Sequence, residues 1–181
     1  MDKLTEKMVK SEQIYDGKIV HLYVDEVQLP NGKTAKRELV RHNGAVAIVP
    51  VHSDGRVTLV RQYRHAAGRV LLEIPAGTLN PTENPEVCAV RELQEETGYK
   101  PGKLEKLGGI FVAPGYTTEF IHLSMATDLS VSPLALDEDE FIEIETMSFE
   151  QALDLIRSGE IVDGKSISGL MLAKDHLERR K

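Results

Sequence analysis

The sequence predicts an α/β protein: a mixed β-sheet sandwiched between helices, an α/β/α layering, preceded by an N-terminal antiparallel β-ribbon. Three features carry that prediction. Residues 45–51 (AVAIVPV) form a continuous apolar run, the pattern of a strand covered on both faces. Strand-like and helix-like segments follow it, ending in two helical stretches at 150–158 and 166–178. Ahead of it, β-rich residues flank Pro30-Asn31-Gly32-Lys33, a hairpin turn of the Asn-Gly type.

Residues 8–41 read as strands rather than helix: Ile19, Leu22, Val24, Val27 and Leu29 mark a β-rich segment, and residues 34–41 return after the turn. A two-stranded ribbon is marginal by itself, so it must extend the main sheet or pack on a second copy of the chain; the second is expected, making a homodimer. The domains expected are residues 1–42, the dimerisation ribbon, and residues 43–181, the main domain. After the apolar run, Ser53-Asp54-Gly55 turns the chain, residues 56–64 (RVTLVRQYR) form a strand, and residues 70–74 form another. Pro75-Ala76-Gly77 leads into a helix framed by Asn84, Pro85 and Gly98. Asn84 suits the N-cap, Pro85 the first turn and Gly98 a left-handed C-terminal residue. Strands are expected at 104–112, 120–127 and 141–148.

Composition bounds the function. The chain has 181 residues, with 22 Lys and Arg against 29 Asp and Glu, a net charge of −7. That length suits one domain with a small appendage. Tracking a nucleic-acid backbone asks for a basic surface, so nucleic acid is not the expected partner. The single cysteine, Cys88, excludes an internal disulfide framework and reads as a small packed residue. The opening MDKLTEKMVK lacks an apolar signal core and no later run has the length of a membrane span, so a cytoplasmic protein with no membrane partner is expected. The histidines show no zinc-ligand spacing.

The chemistry concentrates in the helix. At roughly 100° per residue, Val90, Leu93 and Thr97 share a face that can pack on a core. Glu92, Glu95 and Glu96 gather opposite them. Three ionised carboxylates so close repel one another. Two readings stand: a solvated acidic face, or a site for hard divalent cations with oxygen ligands, Mg²⁺ above all.

The spacing distinguishes them. Gly77, Glu83, Arg91-Glu92-Leu93, Glu95-Glu96 and Gly98, at these offsets, resemble the Nudix box, with Tyr99 standing where the family usually carries an aliphatic residue. The flanks are similar to the ADP-ribose pyrophosphatase subgroup. Ala113-Pro114-Gly115 lies at the subgroup's distance past the box, followed by Thr118-Glu119. Arg61-Gln62-Tyr63-Arg64, Leu72-Glu73-Ile74-Pro75 and Leu136-Asp137-Glu138-Asp139-Glu140 also match.

The resemblance implies a Nudix-type α/β/α sandwich. It implies Mg²⁺-dependent hydrolysis of ADP-ribose, with Mn²⁺ as a substitute, to AMP and ribose 5-phosphate. The expected metal ligands are Glu92, Glu96, the carbonyl of Ala76 and also Glu95, with Arg91 holding the box carboxylates. The general base is expected at Glu138, then Glu140, with Glu95 as the alternative within the box. Arg64, then Arg41, are the candidates for the diphosphate, since a guanidinium matches phosphate geometry. Glu119 and Gly115 are counted with the substrate-binding residues. Other substrates of the same fold remain open: GDP-mannose and related nucleoside diphosphate sugars, nucleotides or RNA caps. A non-catalytic ligand-sensing module is the alternative of a different class.

Overall fold

The structure, a computed structural model, describes residues 3–136 and 140–180. The chain folds as two compact units, Met1–Gly44 with Phe111–Phe120, and Ala45–Ile110 with Ile121–Lys181.

In the first unit, β1 (Lys7–Asp16), β2 (His21–Gln28) and β3 (Thr34–Arg41) form an antiparallel sheet in the order β1-β2-β3. The expected two-stranded ribbon therefore has a third strand. Residues of β1 are exposed along its whole length, so burial imprints no alternation on its sequence. Its register against β2 also shifts twice, between Met8 and Lys10 and between Gln13 and Tyr15. The β2–β3 turn is closed by the Gly32 N–H, which donates to the Leu29 carbonyl at 2.9 Å. Gly32 sits at φ +82°, where a residue without a β-carbon is at ease. Residues 111–120 grip the end of β3. Val40 N–H donates to the Tyr116 carbonyl at 2.7 Å, and Thr118 N–H donates to the Val40 carbonyl at 3.0 Å.

The second unit is built on β4 (Ala45–Pro50). Its strands and helices are β5 (Arg56–Arg64), β6 (Arg69–Glu73), β7 (Ala76–Thr78), α1 (Pro85–Thr97), β8 (Tyr99–Lys100), β9 (Lys103–Phe111), β10 (Phe120–Thr127), β11 (Ser130–Val131), β12 (Ile142–Ser148), α2 (Phe149–Ser158) and α3 (Gly164–Glu178). The main sheet has the order β7-β4-β10-β9 and is mixed: β10 runs parallel to β4, and β7 antiparallel. A separate antiparallel sheet, β12-β5-β6, lies beside it, so the strands expected in one sheet divide between two.

The period of two in β4 explains the layering. Val46 and Ile48 join Cys88, Ala89 and Leu93 of α1 in one core. Ala47 and Val49 join Leu153 of α2 and Leu170 and Ala173 of α3 in the other. Each large side chain fully buried in this way contributes roughly 2 kcal/mol. Gly169 lets α3 approach closely, since a β-carbon there would stand 2.7 Å from Ile74 Cδ1. Helices on both faces of β4 make the α/β/α sandwich, as the apolar run at 45–51 predicts.

Candidate active site

The site begins where β7 meets α1. Pairing with β4 sets Gly77 opposite Val46 and Ala76 opposite Ala47. The helix that faces them is punctuated as its sequence predicts. Asn84 accepts from the Glu86 N–H at 2.8 Å, Pro85 opens the first turn, and Gly98 closes the last at φ +74°. Its acidic side is not a solvated face. Glu92 and Glu96 retain only 8% and 4% of their surface exposed, whereas Val87 keeps 62%. Val90, expected in the core, is only half-buried. The helix packs Cys88, Ala89, Leu93 and Thr97 inward and turns Glu92 and Glu96 onto β7.

That approach depends on a missing side chain. A β-carbon on Gly77 would fall 1.9 Å from Cδ of Glu92 and 2.1 Å from its Oε1. One turn further, Oε2 of Glu96 accepts the Ala76 N–H at 3.0 Å. The start of β7, at Ala76 and Gly77, thus forms a backbone floor beneath two carboxylates.

Arg91 gathers the remaining acids. Its Nη1 lies 2.7 Å from Glu92 Oε1 and 2.8 Å from Glu95 Oε2. Its Nε and Nη2 donate to the two oxygens of Glu83, each at 3.2 Å. Glu83 also accepts the Asn80 N–H at 2.9 Å, tying the loop before α1 to the helix. A planar guanidinium can serve three carboxylates in this way, where a single ammonium could not. Arg91 thus ties Glu83, Glu92 and Glu95 together. Cys88 is buried and its thiol is pushed up to about 12, chiefly by burial, which makes it a packed residue.

Burial dominates the electrostatics. It raises Glu92 to about 7, against the opposing charge of Arg91. It raises Glu96 to about 8, against the Ala76 hydrogen bond. The charge of Glu140 pushes both in the same direction, which brings Glu140 within electrostatic range of the pair. Two buried carboxylates that repel one another, with no ion pair to Glu96 among the described residues, suit a hard divalent ion. Among the described residues no three His, Cys, Asp or Glu side chains form a ready cation cage. A cation held by Glu92 and Glu96 would therefore draw on backbone oxygen and water, which is how Mg²⁺ is commonly bound.

Arg64, at the end of β5, is engaged by an acid that sequence reasoning did not assign. Its Nε donates to Glu73 Oε1 at 3.0 Å and its Nη2 to Glu73 Oε2 at 2.6 Å. The charge of Glu96 also acts on Arg64, so the guanidinium and the carboxylate pair share one neighbourhood. Lys165 of α3 reaches the same Glu73 at 2.5 Å. An acid within Leu72-Glu73-Ile74-Pro75 was the available signal, because a charge in an apolar strand needs cationic partners. Nothing local points to Lys165.

Glu138 falls outside the described residues. Arg41, Glu119 and Gly115 belong to the first unit. There Arg41 stacks its guanidinium 3.8 Å from the centre of the Tyr23 ring and donates to Ser11 Oγ at 2.9 Å. The Glu119 N–H donates to Thr117 Oγ1 at 3.1 Å, and Gly115 is exposed. Tyr99, the departure from the box pattern, packs edge-on against His52 with ring centres 5.2 Å apart.

Comparison with known proteins gives consistent matches. Residues 41–168 match the NUDIX domain, and residues 6–40 match the nucleoside diphosphate sugar hydrolase N-terminal domain. The chain is 43% identical over 185 residues to the ADP-ribose pyrophosphatase of Bacillus subtilis (strain 168), covering 100% of both chains. It is 44% identical over 164 residues to the methanol dehydrogenase activator of Bacillus methanolicus, covering 90% of this chain and 89% of that one. In fold it resembles a solved ADP compounds hydrolase, with a TM-score of 0.89 over 99% of this chain and 98% of that one at 24% identity.

Proposed function

Because this chain belongs to the NUDIX family, we propose that it hydrolyses the pyrophosphate bond of ADP-ribose to AMP and ribose 5-phosphate. The cofactor is Mg²⁺, with Mn²⁺ able to replace it. The observation that carries the reading is the pair of buried carboxylates, Glu92 and Glu96, set over the side-chain-free backbone at Gly77. A full-length relative named for this activity supports the choice of substrate.

Glu92, Glu96 and the Ala76 carbonyl hold the cation. When bound, it neutralises charge on the diphosphate and lowers the pKa of bound water. Arg91 holds Glu95 through Oε2 at 2.8 Å, as it holds Glu92 through Oε1 at 2.7 Å, and Glu95 is the further ligand and the alternative base within the box. Glu138 takes the proton from the attacking water, with Glu140 next in line; the influence of Glu140 on Glu92 and Glu96 supports a base from this stretch. Arg64 binds the diphosphate; the first unit's own candidates for substrate contact are Arg41, Glu119 and Gly115. The exposed Met8, Val9, Ile14 and Tyr15 of β1 give the N-terminal sheet an apolar surface for a second copy, the basis for a homodimer. Light scattering on a chain lacking residues 1–40 tests that dimer: an unchanged mass contradicts it.

A second reading, a GDP-mannose-type hydrolase, is favoured by the match of residues 6–40 to a nucleoside diphosphate sugar hydrolase domain. One experiment separates the two. Phosphate-monoester release is measured with Mg²⁺ from ADP-ribose, GDP-mannose, ADP-glucose, NADH, diadenosine polyphosphate and 8-oxo-dGTP. ADP-ribose is expected to lead in kcat/KM. A lead by GDP-mannose replaces the reading, and cleavage of none of them returns the non-catalytic sensing module.

A further inference from the structure

Glu73 is only 1% exposed, yet it stands at the end of β6, three residues before Ala76 opens β7. A lone charge there would be costly, so its partners decide its use. Oε1 and Oε2 accept from Arg64, and Oε2 is shared with Lys165 Nζ at 2.5 Å. Lys165 also donates to Asp163 Oδ2 at 2.8 Å. Asp163 is the N-cap of α3, accepting from the Ser166 N–H at 3.0 Å and from Ser166 Oγ–H at 2.6 Å. Ser166 Oγ in turn accepts the Ile74 N–H at 2.8 Å. The first turn of α3, the end of β6 and Arg64 are thus one hydrogen-bonded unit.

Two cations share one carboxylate. Burial pushes Glu73 up, and the Arg64 hydrogen bonds with the charge of Lys165 outweigh it, leaving Glu73 ionised and below its ordinary value. Lys165 is well covered, its side chain 11% exposed, while 40% of the Arg64 side chain is open. The arrangement divides the labour: the buried lysine meets part of the Glu73 charge, and the guanidinium keeps charge for an incoming anion.

We propose that Lys165 is a positioning residue for the diphosphate, acting through the Glu73 carboxylate to set where Arg64 stands and how much of its charge a phosphate can engage. This rests on the reading of Arg64 as the diphosphate ligand. Without Lys165, the whole Glu73 charge falls on Arg64, and substrate must compete with it.

A double-mutant cycle tests this, using Lys165→Met, Arg64→Ala and the pair, with Lys165→Arg as the conservative replacement. Steady-state kinetics on ADP-ribose are joined by calorimetric titration of ADP-ribose in EDTA, where no turnover occurs, and by thermal melting. Lys165→Met is expected to raise KM and weaken metal-free binding about tenfold, with kcat within about twofold. In the Arg64→Ala background the same substitution changes neither quantity, and Lys165→Arg recovers most of the loss. Equal losses in both backgrounds mean a role independent of Arg64 and overturn the proposal, as does an unmoved KM. Should Lys165→Met melt below the assay temperature, Lys165→Gln enters the same cycle. If the wild type cleaves another member of the panel instead of ADP-ribose, the functional reading has failed, and the cycle on that substrate still decides the role of Lys165.

Discussion

The carboxylate of Glu92 occupies the space that a β-carbon on Gly77 would need, with Cδ 1.9 Å from that position. Gly77 is therefore required for close approach, whatever its backbone preference. Gly77→Ala must drive the carboxylate or β7 aside, at roughly 1–3 kcal/mol of stability. Displacing Glu92 by about an ångström is expected to lower kcat about 100-fold. Urea denaturation and steady-state turnover check both; an active Gly77→Ala protein contradicts the placement.

The raised carboxyls predict an unusual pH dependence without metal. Glu92 and Glu96, at about 7 and about 8 when folded, bind more protons in the native state than in the unfolded chain between about pH 4.5 and 8. Their contribution to stability therefore falls as pH rises through that window. In EDTA the melting temperature is expected to drop by roughly 5 °C between pH 5 and 8.5. Millimolar Mg²⁺ should restore most of it at the upper end, because the cation favours the ionised pair. Glu96→Gln should flatten the slope in EDTA; an unchanged slope would show that the pair does not titrate as described.

Arg91 holds Glu83 through Nε and Nη2 and both Glu92 and Glu95 through Nη1. Lysine keeps the charge but loses the fork. Arg91→Lys is expected to cost roughly 2–4 kcal/mol by denaturant unfolding, since carboxylates are left partly unpaired. Turnover should fall as Glu92 loses its support. A variant as stable as the wild type would mean that the three pairs are not held together as a set.

Legibility of the sequence varied with the kind of interaction. Helix α1 was readable because Asn84, Pro85 and Gly98 are local signals that act within a turn. Strand β4 was readable because burial on both faces removes every polar residue from it. Strand β1 lies within residues 8–41, which read as strands, but it was not set apart as a third one, since full exposure leaves its residues unconstrained by a core. The covering of Glu92 and Glu96 also escaped, because periodicity reports which residues share a face and not what lies opposite it. Lys165 was beyond reach for a further reason: its partner Glu73 is 92 positions away, and only the folded chain brings them together.

The proposed role of Glu96 as a ligand of the catalytic cation is tested most directly by the initial rate of AMP formation from ADP-ribose with saturating Mg²⁺, wild type against Glu96→Gln. Glutamine keeps the shape and removes the charge. A fall on the order of 1,000-fold, with the variant folded by thermal melting, is the predicted result. A rate within about threefold of the wild type would contradict it.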